Sequence, residues 1–317
     1  MFLITKVDEN NPLRFMSINK WTTALSILLI VASLATLAIN KLNWGLDFTG
    51  GTLVEVGFSQ PANLSELREV LEANDYGDAV VQNYGTQRDV LVRVPPRGEA
   101  NAESIGDSLL RILQTNVDEN LQIRRVEFVG PQVGEELAEA GGLALIVAVI
   151  CILIYVSFRF EWRLALSAVA GLVQDVILIL GIFSLFQMQV DLTILAALLA
   201  TIGYSLNDSI VVADRIRENF RIMRKETPVS VIDISLSQTL SRTLVTSLTT
   251  LMVLVVLMLF GGQMIFGFAV AMSIGVLVGT YSSIFTRSTI VLALGISRED
   301  LMPPEVEKEG EDQEPVL

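Results

Sequence analysis

The sequence predicts an α-helical polytopic membrane protein of six transmembrane helices, interrupted once by a small α+β domain. Three observations predict it. Of 317 residues, 51% are hydrophobic, mean hydropathy is +0.55, and the apolar residues fall in long runs rather than spreading as they do in a soluble core. Six runs reach the ~20 residues that cross a bilayer. One stretch between the first two switches to the alternating periods of strands and short helices.

The first run, 21–40, follows Lys6, Arg14 and Lys20 and has no small-x-small site before Asn40, so it reads as an uncleaved signal-anchor helix behind a cytoplasmic segment, 1–20. The other five lie at about 139–158, 163–186, 191–213, 238–260 and 264–294. No water satisfies backbone groups in the hydrocarbon, so each run is expected to be helical; the missing ten-residue alternation excludes a porin-like barrel.

The formal charge of −13 comes largely from the inserted domain and the tail after Gly295. It does not suggest nucleic acid. The tail, 295–317, is acidic and contains prolines, which predicts a disordered cytoplasmic end. Cys151 is the single cysteine and forms no intrachain disulfide, and the chain has no histidine, which removes histidine-based metal and proton chemistry. No metal site is predicted.

Short loops set orientation. Arg159, Arg163 and the cluster Arg215, Arg217, Arg221, Arg224 and Lys225 fall on one side if both termini are cytoplasmic, and the opposite loops around Gln187 to Gln189 and Gly261 to Gln263 carry no Lys or Arg. The insert, within 41–137, is then periplasmic. It reads GTLVEVGFS strand, NLSELREVLEAN helix, AVVQNYG and DVLVRVP strands, AESIGDSLLRILQT helix and LQIRRVEFV strand. That order is βαββαβ, a ferredoxin-like arrangement. Asn63 and Glu66 have capping-box spacing, Leu67, Val70 and Leu71 share a helix face, and Ile105, Leu109, Ile112 and Leu113 cover the same sheet. GLDFTGGT precedes a strand and lacks a Lys, so it is read as a close turn from membrane into sheet rather than a phosphate loop.

Ionisable groups at the centre of a span cost ~2.5 to 3.5 kcal/mol on insertion scales, so each is a functional candidate. Asp208 lies in TIGYSLNDSIVVADR, Arg242 in SRTLVTSLTT and Asp175 in GLVQDVILIL. Asp208 is seven residues before Arg215, ~10 Å along a helix, and Arg242 begins the helix returning from that side. An Asp208–Arg242 pair is therefore expected. Thr201, Ser205 and Asp208 share one face and Arg242, Thr246 and Thr249 another, two polar stripes expected to face each other. Such groups act either as static glue between helices or as a proton or cation relay, because a change in their separation changes proton affinity. Asp175 has no obvious basic partner at its depth, and both readings stand for it. Asn207 is either a ligand or an interhelical hydrogen bond. Gly275 and Gly279 form a GxxxG packing face continued by Ser282 and Thr286. DRIRENFRIMRK reads as a solvated or interfacial basic helix, with partner docking as the alternative.

Three motifs are more specific: WGLDFTGGTLVEV from Trp44 to Val56, VGPQVGEEL from Val129 to Leu137, and GYSLNDSIVVADRIREN from Gly203 to Asn219. With this topology, over residues 15–295, the sequence resembles the SecF family of protein-export membrane proteins, part of the resistance-nodulation-division group. The resemblance implies a subunit of the bacterial inner membrane that works with a SecD-like subunit and the SecYEG channel, with YajC and YidC as further partners. It implies use of the proton-motive or sodium-motive force to assist late steps in the export of unfolded polypeptide. No cofactor beyond the coupling ion, H+ or Na+, and no bond-making enzyme activity is implied. The family's functional Asp falls on Asp208 and its Arg on Arg242, with Tyr204, Ser205 and Asn207 supporting. Many members of the family carry His before the helix-three Asp, where this sequence has Gln174, which cannot carry a proton.

The expectation is thus half of an ion-driven motor, in which titration of Asp208, modulated by Arg242, moves the outer domain, and a partner subunit completes the ion path. The rival is a passive scaffold for the partner and channel, which tolerates Asp208→Asn. A small-molecule exporter is the third reading, and the sequence shows no substrate pocket for it.

Overall fold

A computed structural model describes residues 13–97, 102–223, 225–297 and 301. The expected disorder of the acidic tail falls almost entirely outside the described residues, as do Lys6 and Arg224. Six helices are long and apolar enough to span a membrane, and the chain is a multi-pass membrane protein.

A 3-10 turn, Phe15–Ile18, leads into α1, Asn19–Asn40. The entry is fixed by side chains from far along the chain: Met16 N–H donates to Asp233 Oδ1 at 2.9 Å and Leu13 N–H to Ser237 Oγ at 3.0 Å. A two-residue strand, β1 (Asn43–Trp44), precedes a one-turn helix, α2 (Leu46–Thr49). The chain then reverses into β2 (Gly51–Gly57) through Gly50 at φ +66° and Gly51 at φ +116°. Only glycine adopts that pair of angles without strain. A Cβ on Gly50 would also stand 3.0 Å from Pro131 Cα, so the expected close turn is also where the domain meets the second span.

The inserted domain continues with α3 (Leu64–Ala73), β3 (Val80–Tyr84), β4 (Thr86–Val94), α4 (Ala102–Asn116) and β5 (Gln122–Val129). The four longer strands form one antiparallel sheet in the order β3-β4-β2-β5. Alternate residues Val54, Val56, Val90 and Val92 point at the helices and are buried with Leu67, Leu71, Leu109 and Leu113, as the two apolar stripes require. Asn63 Oδ1 accepts from Ser65 N–H at 3.1 Å, so the predicted cap forms on one side; no reciprocal bond from Glu66 closes a box among the described residues.

Asp118 latches the far end of this domain. Its Oδ2 accepts from Ser59 N–H at 2.9 Å and Ser59 Oγ at 2.5 Å, and its Oδ1 from Asn120 N–H at 2.9 Å. The Ser59 hydroxyl, then these amides, hold its carboxyl below the ordinary carboxylate range. A lowered folded-state pKa stabilises above the unfolded pKa and is lost as pH falls through the folded one. We therefore expect the Ser59 amide to exchange hydrogen faster as pH drops below ~4, beyond the intrinsic exchange trend, and Asp118→Asn to flatten that dependence. An unchanged acid dependence in the variant would remove the latch.

The remaining elements are α5 (Pro131–Arg159), α6 (Trp162–Leu185), the two-residue β6 (Gln189–Val190), α7 (Leu192–Ile222), α8 (Pro228–Phe260), α9 (Gln263–Tyr281), a π-turn (Ser282–Thr286) and α10 (Arg287–Ala293). Of the window defining each span, 56% is buried in α6 against 11% in α1 and α5 and 17% in α8. Thus α6 is the central staff and α1, α5 and α8 present apolar faces outward.

Three boundaries differ from expectation. α5 starts at Pro131, eight residues before the predicted 139, with proline at the first helical position where its missing N–H costs nothing. The basic stretch after the fourth span is no separate helix but the end of α7, supported by an Arg215–Glu218 pair at 2.8 Å. α8 begins ten residues early, at Pro228, capped by Thr227, whose Oγ1 accepts from Ser230 N–H. Asn219 Nδ2 donates to Ser235 Oγ at 2.8 Å and Gln238 Oε1 at 2.9 Å, so both extensions pack as one antiparallel hairpin beyond the lipid-spanning stretch.

Candidate functional site

The ionisable groups of the spans converge where α6, α7 and α10 meet. Asp175 on α6 is 1% exposed and Arg287, the first residue of α10, 5%. Arg287 Nη2 donates to Asp175 Oδ2 at 2.8 Å and to Ser205 Oγ at 2.7 Å. Its Nη1 donates to the Ser205 carbonyl at 3.1 Å and also to Ser209 Oγ. Ser205 Oγ donates in turn to Asp175 Oδ2 at 2.6 Å. One guanidinium therefore clamps α6 to two successive turns of α7.

Asp208 lies on that stretch of α7, between Ser205 and Ser209. Its Oδ1 accepts from Thr243 Oγ1 of α8 at 2.5 Å. Its Oδ2 is buried and has no hydrogen-bond partner among the described residues, a costly state for a carboxylate. Tyr204 OH lies 3.4 Å from Ser247 Oγ, which pairs with Thr280 Oγ1 at 2.7 Å. A line of hydroxyls thus joins α7, α8 and α9.

Small residues make this proximity possible. A Cβ on Gly279 would stand 2.9 Å from Ser205 Oγ and 3.8 Å from Asp175 Oδ2, one on Gly275 would overlap Thr201, and one on Gly171 would overlap the Arg287 side chain. The GxxxG face at Gly275 and Gly279 packs against the polar stripe of α7. Its predicted continuation through Ser282 and Thr286 does not hold, because the π-turn inserts an extra residue and changes the phase. Ser282 is buried in the bundle, whereas Thr286 bonds Gln174 Nε2 at 3.3 Å and Ser26 at 3.1 Å. Gln174 is therefore tied toward α1. Since Gly171 leaves space only for the Arg287 stem, Gly171→Val should displace the guanidinium and destabilise by ~1–3 kcal/mol, the usual cost of overpacking. Thermal unfolding in detergent checks this, and an unshifted midpoint refutes the tight fit.

Two expectations are corrected. Arg242 does not pair with Asp208: it is exposed, as are Thr246 and Thr249, and makes no ion pair among the described residues. Thr243, one position on and about 100° around the helix, faces Asp208 instead. The two polar stripes consequently do not meet; that of α7 turns inward and that of α8 outward. Asp175 does have a basic partner, Arg287, which the sequence reading passed over. The available signal was an arginine inside the predicted 264–294 span, seven residues before its last apolar residue, Leu294. Asn207 is exposed. No cluster of three or more metal-ligating side chains occurs among the described residues.

Comparison with known proteins gives a consistent result. A family model described as the C-terminal part of the protein export membrane protein SecD/SecF matches residues 110–297, and one described as the SecD/SecF GG motif matches residues 36–62. The chain is 56% identical over 310 residues to the protein translocase subunit SecF of Vibrio alginolyticus, covering 98% of each. It is 48% identical over 304 residues to that of Escherichia coli O157:H7, covering 96% of this chain and 94% of the relative. A crystal structure of SecDF, a translocon-associated membrane protein from Thermus thermophilus, superimposes with a TM-score of 0.82 at 34% identity. It is covered over 92% of this chain and 40% of its own length, so the present chain spans about two fifths of that one.

Proposed function

The chain belongs to the SecF family of protein translocase subunits, and from that premise we propose that, with a SecD-like partner, it uses a proton or sodium gradient to promote late steps of polypeptide export through a SecYEG channel. The observation that carries this reading is Asp208: a half-buried carboxylate within a span, with one oxygen held by Thr243 and the other buried without a hydrogen-bond partner among the described residues. A monovalent cation or proton arriving there removes a charge from a low-dielectric site and changes how α7 and α8 bond.

The fold offers a mechanical route outward. Leu192 N–H, at the start of the helix carrying Asp208, donates to Asp47 Oδ2 at 3.0 Å, and β1 pairs with β6 beside it. A shift of α7 is thereby passed to the GLDFTGG turn and the inserted domain. In this reading the domain is ferredoxin-like and periplasmic, and both termini are cytoplasmic in a bacterial inner membrane. Arg159, Arg163, Arg215, Arg217 and Arg221 gather near the ends of α5, α6 and α7 remote from the domain, as the positive-inside rule requires.

The outward stripe of α8 supports the partner. Arg242, Thr246 and Thr249 are exposed on an exterior otherwise formed by Leu244, Val245, Leu248 and Met252, and an arginine there is poorly solvated by lipid. A polar face of a second membrane subunit resolves this, and Arg242 then acts across that interface, not within the chain. A scaffold role is the second reading, favoured by the glycine and serine packing that makes the bundle rigid.

The test is translocation into inverted vesicles holding the chain, its partner, SecYEG and SecA, with proton and sodium gradients imposed separately. One gradient should accelerate the late stage, and that gradient names the ion. Equal late-stage rates with and without each gradient would leave the scaffold.

A further inference from the structure

We propose that Arg287 is a built-in counter-cation that balances the charge of Asp175 and leaves Asp208 as the carboxylate open to the coupling ion, so that a single monovalent cation, a proton or Na+, neutralises the site. This rests on the ion-driven reading above and assigns roles within it.

The first support is the ion pair. Asp175 Oδ2 already accepts from both Arg287 and Ser205, and Arg287 spends four N–H contacts on Asp175, Ser205 and Ser209. Side-chain exposure is 6% for Arg287 and 2% for Asp175. Each carboxylate has one buried oxygen without a hydrogen-bond partner among the described residues, Asp175 Oδ1 and Asp208 Oδ2. The charge of Asp175, however, is met by a bonded guanidinium that an incoming cation would have to repel or displace, whereas Asp208 is bonded only by the neutral Thr243.

The second is how the arginine is aimed. Arg287 directly follows the π-turn Ser282–Thr286, whose one added residue rotates position 287 by about 100° relative to an unbroken α-helix. The stem then passes the bare face of Gly171, while Gly279 admits Ser205 and Asp175 to the same point. Helix geometry, two glycines and two serines together place the cation against the turn of α7 that bears Asp208.

The third is charge. Around Asp208, α8 contributes Thr243, which bonds it, and Asp175 of α6 and Arg287 of α10 meet the same turn of α7 at Ser205, while the neutral Gln174 turns toward α1. Charged side chains from α1 and α9 do not enter the cluster among the described residues, and Arg242 points outward. Two carboxylates and one guanidinium leave one negative charge, which one monovalent cation cancels. Neutralising Asp175 and Arg287 together therefore keeps that balance, whereas neutralising either alone disturbs it.

The experiment uses the full complex in vesicles and records gradient-stimulated translocation against pH, or against sodium concentration if sodium is the driving ion. Asp175→Asn and Arg287→Gln singly should lose assembly or most stimulation. Asp175→Asn combined with Arg287→Gln should recover assembled complex and stimulation. Its midpoint should stay within about threefold of wild type, because an anion and a cation leave the surroundings of Asp208 together. Arg287→Lys, which keeps charge and loses the fork, should hold the midpoint within about twofold. An assembled double variant without stimulation overturns the proposal, since Asp175 then carries the ion. A stimulated double variant whose midpoint moves about tenfold or more also overturns it, since the pair then does not act on Asp208 as a balanced unit. If the double variant does not assemble, Arg287→Lys decides: a tenfold shift there overturns the assignment, and a held midpoint supports it. A wild-type complex that answers no gradient fails the proposed function itself, a result separate from any pattern among the variants.

Discussion

Asp208→Asn is expected to abolish the gradient-dependent part of late translocation while leaving assembly and gradient-independent translocation intact. Asparagine has nearly the same shape, and its carbonyl oxygen can keep the bond from Thr243 Oγ1 that Asp208 Oδ1 now accepts at 2.5 Å. The substitution removes a half-buried charge with no directly bonded cationic partner, so the bundle should be no less stable and its partner contacts unaltered. What is lost is the ability to bind and release a cation. Assembly is read by co-purification with the partner subunit, and function by the late-stage rate with and without the driving gradient. Stimulation that survives in an assembled variant would make Asp208 structural and return the reading to a scaffold.

Asp175→Leu or Arg287→Leu should instead strike stability. Each single change leaves its partner charged in a dry core, and breaking a buried ion pair from one side costs ~3–5 kcal/mol. Arg287→Leu also removes the donors that Ser205 and Ser209 now satisfy, so it should be the worse of the two. Yield of monodisperse protein and the thermal midpoint in detergent check this. A variant at either position that unfolds with the wild-type midpoint would mean the pair is hydrated and not the clamp described above.

The two substitutions therefore separate carrier from clamp, which the sequence did not do. Six spans were legible because length and hydropathy are one-dimensional properties, and the order of strands and helices in the insert was legible because alternation of Val54 and Val56, or the spacing of Leu109 and Leu113, survives without tertiary contacts. Asp208 and Asp175 were legible for the same reason, since a charge within a hydrophobic run stands out. Partner assignment was not. Which of Arg242 and Thr243 faces Asp208 turns on about 100° of helix rotation, set by how α8 packs. Arg287 reaches Asp175 only because a π-turn resets its phase, and π-turns leave no periodic signature. The two-residue strands β1 and β6 were invisible for want of any period, although they fasten the domain to the bundle. The extension of α7 to Ile222 was missed because hydropathy falls where the helix leaves the apolar stretch, while hydrogen bonding continues.

The most direct measurement of the central claim is ion movement itself. Vesicles holding the chain and its partner, loaded with a fluorescent reporter of internal pH or sodium, should dissipate an imposed gradient of the coupling ion faster during translocation. Asp208→Asn should reduce that extra flux to the rate of vesicles lacking the complex. An equal flux through wild type and the variant would contradict the account.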